Sequence, residues 1–260
     1  MERQATLRPQ QKILRLCAEC INYVGLQRKN NEDSFCMNDY WLAPEQMNEN
    51  VACSQEVLQL TGVYGVFDGV GGDPMGEMAS CGAARYFSEN SERVIRQCVN
   101  AMDMDDLFAW ANEAVRQEGG GSATTATLLV LANARAYAAN AGDSSIFLFR
   151  RGVLETLSEV HHPEDPSFAG GHAITRYLGA DCLEGRYHPH VAQPVPLEHD
   201  DLFLLCSDGV TDLLTDARIY SILSREDLDD RARAEHLIGQ AMDAGGHDNA
   251  TLMLVRVLLD

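Results

Sequence analysis

The sequence predicts an α+β fold in which helices cover a largely antiparallel core, and three observations carry that expectation. Two very apolar runs, 63–67 and 201–207, read as buried strands, and both run into Asp-Gly. Helix-periodic segments come in neighbouring pairs, 75–99 with 103–118 and 216–223 with 228–244. Between these pairs, residues 123–157 are strand signal broken by short polar turns. No repeat, low-complexity tract or linker divides the chain, so residues 1–260 are expected to form one domain.

In chain order, 15–24 reads as a strand, and a polar turn follows that holds Arg28, Asn31, Glu32 and Asp33. Taken alone, that turn is a solvated hairpin rich in turn formers. A short strand over 34–37 precedes residues 38–61, which show no clean period and are expected to form a loop or insertion. The strand over 63–67 stops at Asp68-Gly69 and leaves a carboxylate at its mouth. An ionised aspartate buried alone is costly and calls for a cation or metal, although Asp-Gly after a strand reads equally well as a hairpin turn.

Met75, Met78, Ala79, Gly82, Ala83, Tyr86 and Phe87 recur at helical spacing and predict one long helix to residue 99, with its methionines and aromatics in the core. Acidic residues at 103–106 start a second helix, with Leu107, Phe108, Ala111, Ala114 and Val115 on its apolar stripe. It ends at Gly119-Gly120-Gly121, which precedes a strand and lacks Gly-Lys-Ser, so a P-loop is excluded. Strands over 123–131, 135–141, 145–150 and 153–157 predict an antiparallel meander, with Gly142-Asp143-Ser144 as one of its hairpin turns. His161, His162, His172, His188 and His190 fit no common zinc spacing and read as flexible surface groups. After Asp208-Gly209, with Asp212 four residues on, come the last two helices, the second with Ala234, Leu237, Ile238 and Ala241 on one face. Gly245-Gly246 caps it, and a strand over 251–258 closes the chain.

Composition narrows the function classes. With 39 acidic against 20 basic residues the formal charge is -19, which repels nucleic-acid phosphates and anionic membrane surfaces. Residues 1–12 are polar, lack the apolar stretch of a secretory signal and are expected to be disordered; no window reaches membrane-span length. The expectation is a cytoplasmic monomer. Eight scattered cysteines fit reduced core thiols, and in a strand the odd separation of Cys17 and Cys20 puts them on opposite faces, against zinc.

Asp68, Asp208 and Asp248 thus sit at strand ends, joined by Glu32 and Asp33 beside another strand. If they converge, five carboxylates cannot all stay ionised without counter-cations, and hard oxygen donors suit Mg²⁺ or Mn²⁺. Two such ions activate a water and clamp an anionic substrate, which is the chemistry of phosphate-ester hydrolysis.

Seven segments then carry a resemblance. Arg28-x-x-Asn31-Glu32-Asp33, Phe67-Asp68-Gly69-x-Gly71-Gly72, Gly121-Ser122-Ala-Thr, Ala141-Gly142-Asp143-Ser144, Ile174-Thr175-Arg176-x-Leu178-Gly179, Ser207-Asp208-Gly209-x-x-Asp212 and Asp248-Asn249-Ala-Thr251 resemble, in order, the motifs of the metal-dependent protein phosphatases of type 2C, in their bacterial form. The resemblance covers residues 15–258 and implies a four-layer αββα sandwich with a metal centre at one end of two sheets. It implies that Asp68 bridges two ions, that the Gly69 carbonyl binds one of them, and that Asp208 and Asp248 bind the second. Glu32 and Asp33 resemble the pair acting on metal-bound waters, with Asp33 also a ligand, while Asp143 and Asp212 resemble a third, weaker metal position. Arg28 resembles the phosphate clamp. The implied reaction is attack of a metal-bridging hydroxide on phosphoserine or phosphothreonine, opposing a serine/threonine kinase.

Two departures from the family stand out. Val70 replaces a histidine that many members use as the acid for the leaving alcohol. The stretch 158–173, where the family has a mobile flap, is short, and its prolines and glycines predict a loop. A non-catalytic phosphoprotein-binding protein on the same fold and a small-molecule phosphatase are the alternative readings; a nuclease is opposed by the charge.

Overall fold

The computed structural model describes residues 14–59, 61–70, 76–99, 104–118, 121–163, 173–181 and 185–259. Its strands, numbered in chain order, form two stacked sheets, and every pairing is antiparallel. One sheet runs β10 (Val153–Thr156), β9 (Ser145–Arg150), β13 (Leu202–Cys206), β14 (Ala250–Leu259), β1 (Leu14–Tyr23) and β4 (Val51–Val57). The other runs β11 (His190–Val191), β8 (Arg135–Ala141), β7 (Ala126–Ala132), β5 (Gly62–Val70), β2 (Asp33–Met37) and β3 (Tyr40–Trp41). β12 (Val195–Pro196) pairs with β8, and β6 (Ala123–Thr124) with β5.

Alternation along the strands separates three cores. Leu16, Cys20, Phe35, Tyr64, Val66, Leu129, Phe203, Met253 and Val255 meet between the sheets. The opposite face of the second sheet, through Phe67, Leu128 and Val130, packs on α1 (Gly76–Glu89), α2 (Ser91–Val99) and α3 (Met104–Glu118). The opposite face of the first, through Leu202, Leu204, Leu252 and Leu254, packs on α5 (Asp216–Leu223) and α6 (Asp230–Asp243). These layers are the expected αββα arrangement.

Several sequence expectations need correction. The long helix is two, α1 and α2, divided at Asn90, whose side-chain amide and backbone N–H both bond the Tyr86 carbonyl. Residues 38–61 are no insertion, because they contain β3 and the seven-residue edge strand β4. The meander breaks at Gly142-Asp143-Ser144: β8 lies in one sheet and β9 in the other, so this segment crosses between layers, with Gly142 at a φ of 110°. His161 is no surface group; it is 4% exposed, with Nδ1 against the backbone of Gly142. The disorder expected at 1–12, the residues Gly71, Gly72, Met75, Gly119, Gly120 and His172, and most of the 158–173 loop lie outside the described residues.

Candidate functional site

The inward-facing stripe of each central strand changes character at the same end of the sandwich. Met37 and Phe35 lead to Asp33, Tyr64 and Val66 to Asp68, Phe203 and Leu205 to Ser207, Val255 and Met253 to Thr251, and Cys20 to Asn22. Because side chains alternate with period two, each polar residue projects toward the space that its predecessors fill with hydrocarbon. Asp33 and Asp68 are register partners on adjacent strands. The first sheet reaches across to them: Ser207 Oγ donates to Asp33 Oδ2 at 2.7 Å, and Asn22 Nδ2 donates to the Asp33 carbonyl at 3.2 Å and to Thr251 Oγ1 at 2.8 Å.

Asp68 lies inside β5 rather than beyond it, since the strand continues to Val70 by pairing Gly69 with Thr124. Its N–H donates to Thr125 Oγ1 at 3.0 Å, and its carbonyl accepts from Thr125 N at 2.8 Å. Asp208 opens the single helical turn α4 (Asp208–Thr211), so the second Asp-Gly is a helix start and not a hairpin. A Cβ at position 209 would collide with the Asn249 backbone, and glycine is what lets this turn approach the segment carrying Asp248, just ahead of β14. Asn249 fastens that approach: Oδ1 accepts from Glu32 N at 2.8 Å, while Nδ2 donates to the carbonyls of Val24 and Asn30.

Above these residues opens a cleft of about 540 Å³ lined by Arg28, Glu32, Asp68, Gly69, Val70, Thr125, Asp143, Ile174, Asp208, His247 and Asp248. The carboxyl groups of Asp68 and Asp208 adjoin each other, and each bears on the other's proton affinity. Burial is the largest cause raising Asp68 well above the usual carboxylate range, and repulsion from Asp33, Asp208 and Asp143 adds to it. Asp33 is pushed up to about 7 by burial against the opposing Ser207 and Thr251 hydrogen bonds. Asp208 is raised to about 7 by burial and the neighbouring Asp143, and burial also raises Glu32. Asp33 Oδ1 and Asp208 Oδ1 are buried without a hydrogen-bond partner. Arg28 is the one arginine or lysine among the cleft's described lining residues, and its Nη2 is spent on Asp248 Oδ2 at 2.6 Å at the rim.

Buried oxygen atoms lacking donors, in carboxyls raised by burial and then by mutual repulsion, are what a divalent cation satisfies, and the donor set is hard oxygen throughout. The residues present fit Mg²⁺ or Mn²⁺ in kind. As positioned, no three ligating side chains among the described residues converge on one point, since Asp248 is drawn to Arg28 and Asp33 to Ser207.

Of the residues singled out in the sequence, Arg28, Glu32, Asp68, Gly69, Asp143, Asp208 and Asp248 line the cleft together. Asp33 does not; it is fully buried behind Asp68. Asp212 lies on the far side of Asp208, in an adjoining cavity of about 300 Å³ that Asp143 and Asp208 also line. Thr125 and His247 were not foreseen, and Ile174 stood in one of the seven segments without a role assigned to it. His247 adjoins Asp248, and its Nδ1 is 2.6 Å from Gln27 Nε2; the break that Thr125 makes between β6 and β7 leaves no mark in an apolar run.

Comparison with known proteins agrees with this geometry. The model of the family described as protein phosphatase 2C matches residues 25–167, more than half of the chain. A serine/threonine phosphatase, Stp, of Listeria innocua is 26% identical over 217 residues, covering 73% of this chain and 82% of its own. PppA of Pseudomonas aeruginosa, described as a key regulatory component of T6SS, superposes with a TM-score of 0.70 at 26% identity over 95% of this chain and all of its own. The catalytic domain of the phosphatase PstP, solved with two manganese ions, superposes with a TM-score of 0.65 at 25% identity, covering 94% of this chain and 99% of its own.

Proposed function

The chain belongs to the protein phosphatase 2C family and is a protein serine/threonine phosphatase, and we propose that it hydrolyses phosphoserine and phosphothreonine at this cleft, in one step without a phosphoenzyme, opposing a serine/threonine kinase. The observation that carries the reading is the group of buried carboxyls at the cleft floor whose only arginine neighbour among the described lining residues sits at the rim. Asp68, the Gly69 carbonyl, Asp208 and Asp248 would hold two divalent ions, as the two manganese ions of PstP suggest, and Asp143 with Asp212 a further, weaker one. When bound, Mg²⁺ or Mn²⁺ supplies positive charge against the phosphate and acidifies a water to the point of attack.

The chain's own groups do the rest. Arg28 presents a fork of donors that suits a tetrahedral oxyanion once Asp248 turns to a cation. Glu32, raised by burial at the cleft wall, is placed to take the proton of the attacking water. Asp33 acts from behind, fixing Ser207 and the strand end that carries Asp208. Val70 lines the cleft and has no proton to give the leaving alcohol. An aryl phosphate, which needs little protonation to leave, is therefore expected to turn over faster than a phosphoserine peptide, and equal rates at saturation would count against this. The main test is phosphate release from a phosphothreonine peptide with Mn²⁺, with chelator, and with Asp208→Asn. Activity is expected only in the first case, and activity surviving both interventions would sink the proposal.

A further inference from the structure

Cys20 and Cys53 stand directly opposite each other across the antiparallel pair β1–β4. Both face the space between the sheets: Cys20 is fully buried there, and Cys53 packs against the same core while staying partly exposed. Their thiols are close enough for each to shift the other's pKa. Opposed residues of antiparallel strands have Cα atoms about 4.5–5.5 Å apart, within the roughly 4.4–6.8 Å that a disulfide spans. Cys17, three residues earlier on β1, is opposite Glu56 and faces the other way.

We propose that Cys20 and Cys53 are a modification site for peroxides, closing to a reversible disulfide that clamps the edge strand β4 to β1. Cys53 is the attacking member. It lies on the last strand of its sheet, with a neighbour on one side only among the described residues, and is the more accessible of the two. The adjoining Cys20 thiol lowers its pKa below the usual thiol value, whereas burial raises that of Cys20. The Cys53 thiolate attacks the peroxide O–O bond, gaining one oxygen as a sulfenic acid while the other leaves as water. Cys20 sulfur then attacks Cys53 sulfur, forming the S–S bond and expelling the second water, so two thiols and one hydrogen peroxide give one disulfide and two waters. The closed loop contains Arg28, Glu32 and Asp33, and the crosslink fixes both of its ends. This inference does not depend on the hydrolytic reading of the cleft.

The test is treatment of the full chain with stoichiometric hydrogen peroxide, followed by alkylation, intact mass and peptide mapping. The expected result is the loss of two hydrogens, a linked pair of peptides containing Cys20 and Cys53, and reversal by dithiothreitol. The link should persist in Cys17→Ser and vanish in Cys53→Ser. The oxidised chain should melt about 5 °C above the reduced one, because closing a loop of this size restricts the unfolded chain. Oxidation of Cys53 to sulfinic acid with Cys20 left free, a disulfide between other cysteines, or a linked chain with an unchanged melting point would each overturn the proposal.

Discussion

Strand β13 has an aspartate just beyond each of its ends, and the two are treated in opposite ways. At one end Asp201, its side chain wholly buried, is grasped by Arg150 through Nε at 2.6 Å and Nη2 at 2.7 Å, and it also accepts from the Glu198 N–H. At the other end Asp208 has an orphaned oxygen, acidic groups for neighbours, and a pKa pushed up to about 7 by burial and by Asp143. The same residue type, at the two ends of one strand, is satisfied in one place and left unsatisfied in the other. Burying a charge with a matched arginine is a structural solution, while burying carboxyls together without one is a cost that persists where chemistry uses it.

Substitutions at the two ends would sharpen the contrast. Asp208→Asn is expected to lower kcat/KM for a phosphopeptide by about three orders of magnitude, on the order of 4 kcal/mol, with the metal-free melting point unchanged or raised because repulsion with Asp68 and Asp143 is relieved. A fall in the melting point matching that of Asp201→Asn would show the two ends to be alike after all. Asp201→Asn is expected to do the reverse. It leaves the Arg150 guanidinium half-buried without its bidentate partner, costing roughly 3 kcal/mol in denaturant unfolding, with activity of the folded enzyme within about twofold.

The smallest effect is on pH dependence. Asp33 and Asp208 titrate near 7 in the folded protein and near 3.8 when unfolded, so between those values the folded state binds more protons. Metal-free stability should therefore fall as pH rises from about 4 through 7 and level off above, with a gain on the order of 2 kcal/mol, about 1 from each group, on moving from pH 7 to 6. Urea unfolding in chelator at a series of pH values measures this, and stability rising with pH over that window would contradict the burial argument.

Much of this was legible in the sequence, for identifiable reasons. β5 and β13 announce themselves because strands covered on both faces are continuously apolar, and a carboxylate following such a run has little ordinary explanation. β4 escaped because, as an edge strand, it alternates with Ala52 and Ser54 outside and Gln55 on the inward side, so its period of two carries little hydrophobic contrast. The transfer from β8 to β9 escaped because the strand pattern records which residues face a core but not which sheet they join. Asp33 was rightly grouped with the acidic residues, yet its place behind Asp68 depends on cross-strand register, a pairing that no local pattern reveals.

That register has a further consequence. A one-residue offset of β2 or β5 would swing its carboxylate out of the inter-sheet space and toward the helices, while the chain kept the same count of apolar side chains to bury. Turnover therefore doubles as a reporter of correct strand alignment, and a compact but misaligned isomer would be catalytically silent however much secondary structure it retained.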